Sequence, residues 1–422
     1  MLIVCIWLYI SLATIKQKLR GLKMQAINTK EEFGALVKKL QSQNEYKQPL
    51  GFGICRVDMA QSGNGKVLHA VYPLINWNEN FGSAAIFIAA LEASGENIDF
   101  SKSESIHGVN EKFIQFALAA FNPFLDEAVG EAHKNVQLIK LIDAITQKSK
   151  EALNYYKIVF IFEDKEPKSV ESVYMKLYAL SLGKAPLRSL NLSGAFGVLP
   201  NVAWSGNVPI ELAWLRANEM ELKLTNNYPE ITSVDKFPRY LQHIIPADNT
   251  RILDASKVRM GAHLAAGTTV MPGASYINFN AGTTGPVMVE GRISSSAIVG
   301  EGSDVGGGAS ILGVLSGTDG NPVTIGKNTL LGANSVTGIP LGDGCIVDAG
   351  IAVLAGTKFH IPDASFGMIA EVNPTLKKSP DGFYKGRDLA GANGVHFRYD
   401  SVKSQLIALR SKREVKLNAE LH

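Results

Sequence analysis

Only three cysteines occur in the 422-residue sequence, Cys5, Cys55 and Cys345. Their odd number and wide spacing build neither a disulfide framework nor a zinc cluster, and they fit a reducing, cytoplasmic compartment. An excess of either charge is also lacking: 42 basic against 39 acidic side chains leave a formal +3. That balance excludes nucleic acid as the main partner and leaves small anionic ligands open. The apolar opening from Met1 to Ile15 is shorter than the roughly 20 residues of a membrane span. Its positive charges, Lys16, Lys18, Arg20 and Lys23, follow it, the reverse of a secretory signal. Residues 1–23 therefore read as a mis-called start or disordered leader, with a membrane anchor as the alternative; otherwise no membrane contact is expected.

The length suggests two or three domains, with ample chain for buried cores. Behind Met24, Thr29 and Glu32 form a capping box for a helix carrying Phe33, Leu36, Val37 and Leu40 on one face. From there to residue 248 the chain alternates periods in the manner of an α/β domain. Strand-like runs at 51–58, 67–72 and 155–162 are interleaved with helical runs at 84–91, 113–121 and 170–182. The Gly63-Asn64-Gly65 sequence reads as a tight hairpin turn, because no helical pattern follows it to make a phosphate cradle.

The grammar changes near Arg251. Residues 256–360 hold 21 of the 40 glycines but only 11 charged residues, a composition that calls for an unusual backbone. Branched apolar residues recur every six positions. They are Val258, Leu264, Val270; Val287, Ile293, Val299, Val305, Ile311; Ile325, Leu331; and Leu341, Val347, Val353, Phe359. A period of six fits a triangular solenoid in which each sixth side chain points inward and stacks on its equivalent one coil away, at about 4.8 Å. Glycines after the apolar residue, such as Gly300, Gly306, Gly326, Gly332 and Gly342, then occupy tight corners. The phase is expected to slip at 278–286, 312–323 and 337–340, and such departures commonly build a binding face. An inert solenoid would have no reason to interrupt its corners with polar, glycine-rich loops.

The strings Asn278-Phe279-Asn280-Ala281-Gly282-Thr283, Met288-Val289-Glu290-Gly291-Arg292-Ile293 and Gly302 to Ser310 closely resemble a known family. Leu315-Ser316-Gly317, Leu331-Gly332-Ala333-Asn334, Leu341-Gly342-Asp343 and Ala355-Gly356-Thr357-Lys358 match it as well. The family is 2,3,4,5-tetrahydropyridine-2,6-dicarboxylate N-succinyltransferase, within the hexapeptide-repeat acyltransferases. The likeness is dense from 236 to 401. It implies an N-terminal α/β domain (24–248), a left-handed parallel β-helix (249–360) and a short C-terminal extension (361–422). It further implies a homotrimer with active sites between subunits. The implied reaction passes the succinyl group of succinyl-CoA to the amine of an open-chain amino-oxo-dicarboxylate, on the diaminopimelate route to lysine. An acetyl-CoA-dependent N- or O-acyltransferase is the alternative, and a non-enzymatic binding module the third reading.

That chemistry needs a proton acceptor for the amine, donors for the thioester oxyanion and cations or backbone N–H groups for carboxylates. Glu290, a rare charge in a charge-poor repeat, matches the family's active-site position. It would act as general base or as a nucleophile forming a transient anhydride; the bland alternative is a corner carboxylate paired with Arg292. The resemblance assigns Arg292 to succinyl-CoA, where a planar fork suits a carboxylate. It also places Gly307, Ser310, Ala333, Asp348, Ala349 and Gly356 along the acyl-CoA path, with Lys385 and Arg398 at the nucleotide end. Each glycine is equally well explained as a corner turn.

No tightly bound cofactor is expected. Met271 to Ser275 offers no acid where some relatives hold magnesium, and His263 and His360 are too few and too distant for a three-histidine site, so no required metal is expected. Cys345 reads as a small core hydrophobe. Residues 402–416 read as a basic amphipathic helix with a solvated face.

Overall fold

The computed structural model describes residues 26–314, 318, 320–412 and 417. The leader at 1–23 lies outside the described residues. The chain forms two compact units. One comprises the chain through Lys176 together with Asn191–Lys236, and the other comprises Leu177–Leu190 and the chain from Phe237 onward.

The first unit opens with helix α1 (Lys30–Gln41), whose capping box joins Thr29 and Glu32 as expected. Strands β1 (Gly51–Met59) and β2 (Val67–Val71) pair antiparallel across the Gly63–Gly65 turn. With β3 (Asn76–Trp77), β4 (Glu104–Gly108) and β5 (Tyr156–Ile161) they make an antiparallel sheet in the order β2-β1-β5-β4, with β3 beside β1. The helix Phe81–Ser94 is apolar nearly all round, and Ala84 through Leu91 are buried in the main core with Phe52, Phe113, Phe121 and Phe160. Burial pushes the Cys55 thiol on β1 up to about 12, which keeps it protonated and inert.

In the second unit the period of six becomes three parallel ladders. The first stacks Ile252, Val270, Val289, Val305, Leu331 and Val347. The second stacks Ile277, Ile293, Ile311, Thr337 and Val353, with Val258 bridged to Ile277. The third runs through Thr283, Val299, Ile325 and Leu341. The chain visits the ladders in turn, so each circuit is one coil and the stacked side chains are its core, all buried apart from the partly exposed Ile252 at the first coil.

The phase slips fall partly where the sequence suggested. Eight extra residues enter between Ile311 and Ile325, and Thr337 reaches Leu341 in four steps. The slip expected at 278–286 is a correction: Ile277, Thr283 and Val289 keep the period of six there. The slip lies instead between Val289 and Ile293. Val287, the residue in the expected phase of six, is buried but sits two positions before the stacked Val289, on the same inward face.

The C-terminal tail is a second correction. Residues 405–410 are a strand, Gln405–Arg410, antiparallel to Val395–Asp400, which itself extends the first ladder beside Ile346 and Val347. Leu406 to Leu409 are consecutive apolar residues, a pattern that strand and buried helix share. Pairing with the open edge of the ladder decides between them, because an unpaired edge is a liability. The rest of that helix reading, 413–416, lies outside the described residues.

The segment Leu177–Leu190 is strapped to the solenoid by Arg188. This residue adopts a left-handed backbone, φ 70°, and its N–H donates to Asn280 Oδ1 at 2.7 Å. Its guanidinium donates to Ser296 O, Val323 O and Thr324 Oγ1 at 2.6, 2.7 and 2.9 Å, bridging two coils at the root of the long insertion. Burial among these neutral oxygens lowers its pKa.

Coil stacking sets the mutational tolerance. A Cβ on Gly300 would stand 2.7 Å from the Gly326 carbonyl carbon, whereas the buried Thr337 hydroxyl has no hydrogen-bond partner among the described residues. Gly300→Ala is expected to destabilise by about 1–3 kcal/mol. Thr337→Val is expected to leave stability unchanged or raise it by up to about 1 kcal/mol. Thermal unfolding followed by calorimetry ranks the two, and the opposite order would contradict the stacking account.

Candidate active site

The shortened corner carries the rarest charges of the repeat. Three residues, Glu290, Gly291 and Arg292, connect Val289 to Ile293, where the next coil uses five, Gly306 to Ser310. Backbone bonds draw the short corner against the long one. Glu290 N–H donates to Val305 O at 2.8 Å, Arg292 N–H to Ala309 O at 2.7 Å, and Gly308 N–H to Glu290 O at 3.3 Å. A Cβ on Gly291 would lie 2.3 Å from Ala309 O. The glycine is therefore explained by coil stacking, without a ligand.

Gly307 differs. The nearest atom to a Cβ built there is Glu290 Oε2, at 3.7 Å, an ordinary contact. The Glu290 carboxylate thus sits over the Gly307 backbone, half-buried, with space beside it. Among the described residues Glu290 makes no ion pair with Arg292, whose side chain is exposed, so the bland pairing does not occur. Arg292 stands opposite Ser310 in the second ladder, one coil apart.

The same corner continues along the solenoid. Glu290, Gly306, Gly332 and Asp348 each follow a residue of the first ladder, and Gly307, Ala333 and Ala349 lie one position further on. Gly306 and Gly332 have no room for a side chain: a Cβ would be 2.6 Å from Leu331 O and 2.6 Å from Ala349 N. The outcome is a backbone-lined edge with a carboxylate at each end. Phe397 extends the ladder beyond Val347, and Arg398 follows it.

Asp348 is held at that far end. Its Oδ1 accepts from His396 Nε2 at 2.7 Å, and its Oδ2 is 3.7 Å from Arg398 Nε. His396 was not singled out by the sequence; its spacing of two from Arg398 puts both on one strand face, the signal that could have found it. Arg188 was missed for a related reason, since its partners are remote in sequence.

Gly356 lies elsewhere, on the corner that follows the second ladder, and Lys385 ends the strand Phe383–Lys385 that pairs beside it. A Cβ on Gly356 would meet nothing within 4 Å. Lys385 pairs with Lys358 across an antiparallel bridge, and its N–H donates to Asp388 Oδ2 at 2.8 Å. The predicted set therefore divides: Glu290, Arg292, Gly307, Ser310, Ala333, Asp348, Ala349 and Arg398 gather along one corner and its adjoining face, and Gly356 with Lys385 along another. A cavity of about 460 Å³ in the C-terminal extension is lined by Lys377, Lys378, Phe383, Tyr384 and Asp388 among others, and by none of the predicted residues.

Cys345 is buried, its thiol donating to Ala392 O at 3.1 Å and pushed up to about 11 by burial. It packs as a small hydrophobe. Among the described residues no group of three or more His, Cys, Asp or Glu side chains is gathered to hold a metal.

Comparison with known proteins gives this geometry its context. Residues 31–197 match a family model described as tetrahydrodipicolinate N-succinyltransferase N-terminal, and 199–239 match the middle segment of the same family. Residues 322–355 match a hexapeptide repeat of succinyl-transferase. A Nitratiruptor protein named 2,3,4,5-tetrahydropyridine-2,6-dicarboxylate N-succinyltransferase is 65% identical over 94% of this chain and 100% of its own. The Sulfurimonas denitrificans protein of that name is 63% identical with the same coverage. A solved Campylobacter jejuni structure, described as a 2,3,4,5-tetrahydropyridine-2-carboxylate N-succinyltransferase, shares 59% identity over 92% of this chain and 100% of its own, with a TM-score of 0.86. Family models, hexapeptide repeat and identity over nearly the whole chain agree, and the chain belongs to the tetrahydrodipicolinate N-succinyltransferase family.

Proposed function

We propose that this protein transfers the succinyl group of succinyl-CoA to the amine of tetrahydrodipicolinate in its open-chain form, 2-amino-6-oxopimelate. The products are N-succinyl-2-amino-6-oxopimelate and CoA, on the diaminopimelate route to lysine. The observation that carries this reading is the 65% identity to a named relative over that relative's entire length.

The amine nitrogen attacks the thioester carbonyl, the carbonyl oxygen becomes an oxyanion, and collapse of the tetrahedral intermediate expels the CoA thiolate, which takes up a proton. Glu290 either accepts the amine proton or first attacks the thioester to form a mixed anhydride that the amine then opens. Both routes need a carboxylate with free space beside it, and the 3.7 Å approach of Glu290 Oε2 to a Gly307 Cβ position supports that role. Arg292 binds the succinyl carboxylate through its fork. Ser310, Ala333, Asp348 and Ala349 line the acyl-CoA path on the same corner. Gly356, on the other corner, belongs to the same acyl-CoA path, and Lys385 and Arg398 meet CoA phosphates at its nucleotide end as charges.

The same reading takes the solenoid as a left-handed parallel β-helix spanning 249–360, with 24–248 as the α/β domain and 361–422 as an extension. The protein acts as a cytoplasmic homotrimer, with no resident cofactor or metal.

Thiol release measured with both acyl donors tests the reaction. Acceptor-dependent release with strong preference for succinyl-CoA is expected; release from acetyl-CoA alone moves the protein to the acetyl-transfer alternative. Glu290→Gln is expected to lower kcat at least 100-fold, the general acid–base scale, with unchanged thermal stability. Turnover near wild type in that variant would remove Glu290 from the chemistry. Gly307→Ala is expected to fold normally, since its Cβ meets only an ordinary contact, yet to raise the KM for succinyl-CoA several-fold. An unchanged KM would place the acyl chain away from that edge. Activity is expected to survive EDTA, and light scattering to give a trimer mass.

A further inference from the structure

The edge running from Glu290 to Asp348 spans three coil steps, about 14 Å at the inter-strand spacing. Its middle is bare backbone, because Gly306 and Gly332 are pressed against the coils that follow. A carboxylate at its far end poses a physical problem. If this edge carries an acyl-CoA away from Glu290, the approaching phosphates meet the negative charge of Asp348, and like charges brought together weaken binding.

The structure answers that problem locally. Asp348 Oδ1 is engaged by His396 Nε2 at 2.7 Å, a short hydrogen bond. Oδ2 is turned to Arg398, 3.7 Å away. His396 and Arg398 alternate with Val395 and Phe397, both fully buried, so the two polar side chains share the outer face of their strand. The backbone of that strand is fixed by its pairing with Ile346 and Val347 on one side and Leu409 on the other. Asp348 therefore has one oxygen pinned and the other directed at the cation.

We propose that His396 is a positioning residue for acyl-CoA binding: it fixes the Asp348 carboxylate in the orientation that aligns Arg398 and keeps the acid from facing the phosphates. This rests on the acyl-CoA path proposed above. It assigns His396 no contact with the reacting atoms, so its loss acts on donor affinity and leaves the transfer step alone. Its effect passes through Asp348, so the two substitutions are not additive.

Steady-state kinetics on the full-length protein test this, with succinyl-CoA varied at saturating amine acceptor. His396→Phe keeps a ring but removes the donor. It is expected to raise the KM for succinyl-CoA roughly tenfold, equivalent to 1.4 kcal/mol, with kcat within twofold and the acceptor KM unchanged. His396→Gln, which returns an N–H donor at similar reach, is expected to recover to within about threefold of wild type. In an Asp348→Asn background, His396→Phe is expected to add nothing. An unchanged KM in His396→Phe, a fall in kcat without a change in KM, or full additivity with Asp348→Asn overturns the proposal. If His396→Phe does not fold, His396→Asn, whose amide falls short of Asp348, carries the same expectations. Calorimetric titration with CoA separates the two levels of the argument. Absence of CoA binding to the wild-type protein overturns the acyl-CoA reading itself. CoA binding that is equally tight in wild type and His396→Phe overturns only the role of His396.

Discussion

The second unit depends on one constraint: parallel backbone must stack on parallel backbone at every coil, so that each ladder strand meets its neighbour residue for residue. Ladder hydrogen bonds fix that spacing, and the inward Val, Ile and Leu columns fill the space the coils enclose. The position directly after a first-ladder residue is either a glycine, as at Gly306 and Gly332, where neighbouring backbone lies 2.6 Å from where a Cβ would be, or a longer side chain, as at Glu290 and Asp348. Chemistry on this fold is consequently arranged along edges, with spacing set by the coil repeat.

The shortened corner at Glu290 shows how such a scaffold presents a projecting carboxylate. Removing two residues from one circuit, while keeping Val289 and Ile293 in their columns, pulls the corner inward and leaves the longer Gly306–Ser310 corner beside it. The step between the two is where the carboxylate lies against open backbone. Preorganisation here comes from ladder geometry, since the corner's own hydrogen bonds hold the peptide rigid on both sides of the acid.

Much of this was legible in the sequence, for reasons that also explain what was not. A period of six is legible because most inward residues are branched and apolar, Thr283 and Thr337 being inward exceptions, and the rarity of charge in the repeat makes Glu290 conspicuous. Corner lengths were harder: Val287 and Val289 are both apolar and both buried, so the true phase emerges only from which of them pairs with Val270 and Val305. Glycines that look alike in sequence divide in the structure into those excluded by stacking, such as Gly291, and those with room, such as Gly307 and Gly356. The tail at 405–410 was misread because its apolar run satisfies two periods, and the edge that settles the matter is built by residues far upstream. His396 and Arg188 escaped notice since neither has its partners nearby in the chain.

Arg188 has a consequence for how the protein comes to be folded. Its partners lie 92 to 136 residues downstream, at Asn280, Ser296 and Thr324. During synthesis at about 5–20 residues per second the strap waits on the order of ten seconds before the last of them exists. Meanwhile Asn191–Lys236, which belongs to the first unit, has already been made. The first unit can close around its own core while Arg188 still lacks the partners that hold it. Vectorial folding of this chain is thus nested, with an early segment completing a late unit, and no single cut in the sequence yields two pieces each holding all of its own structure.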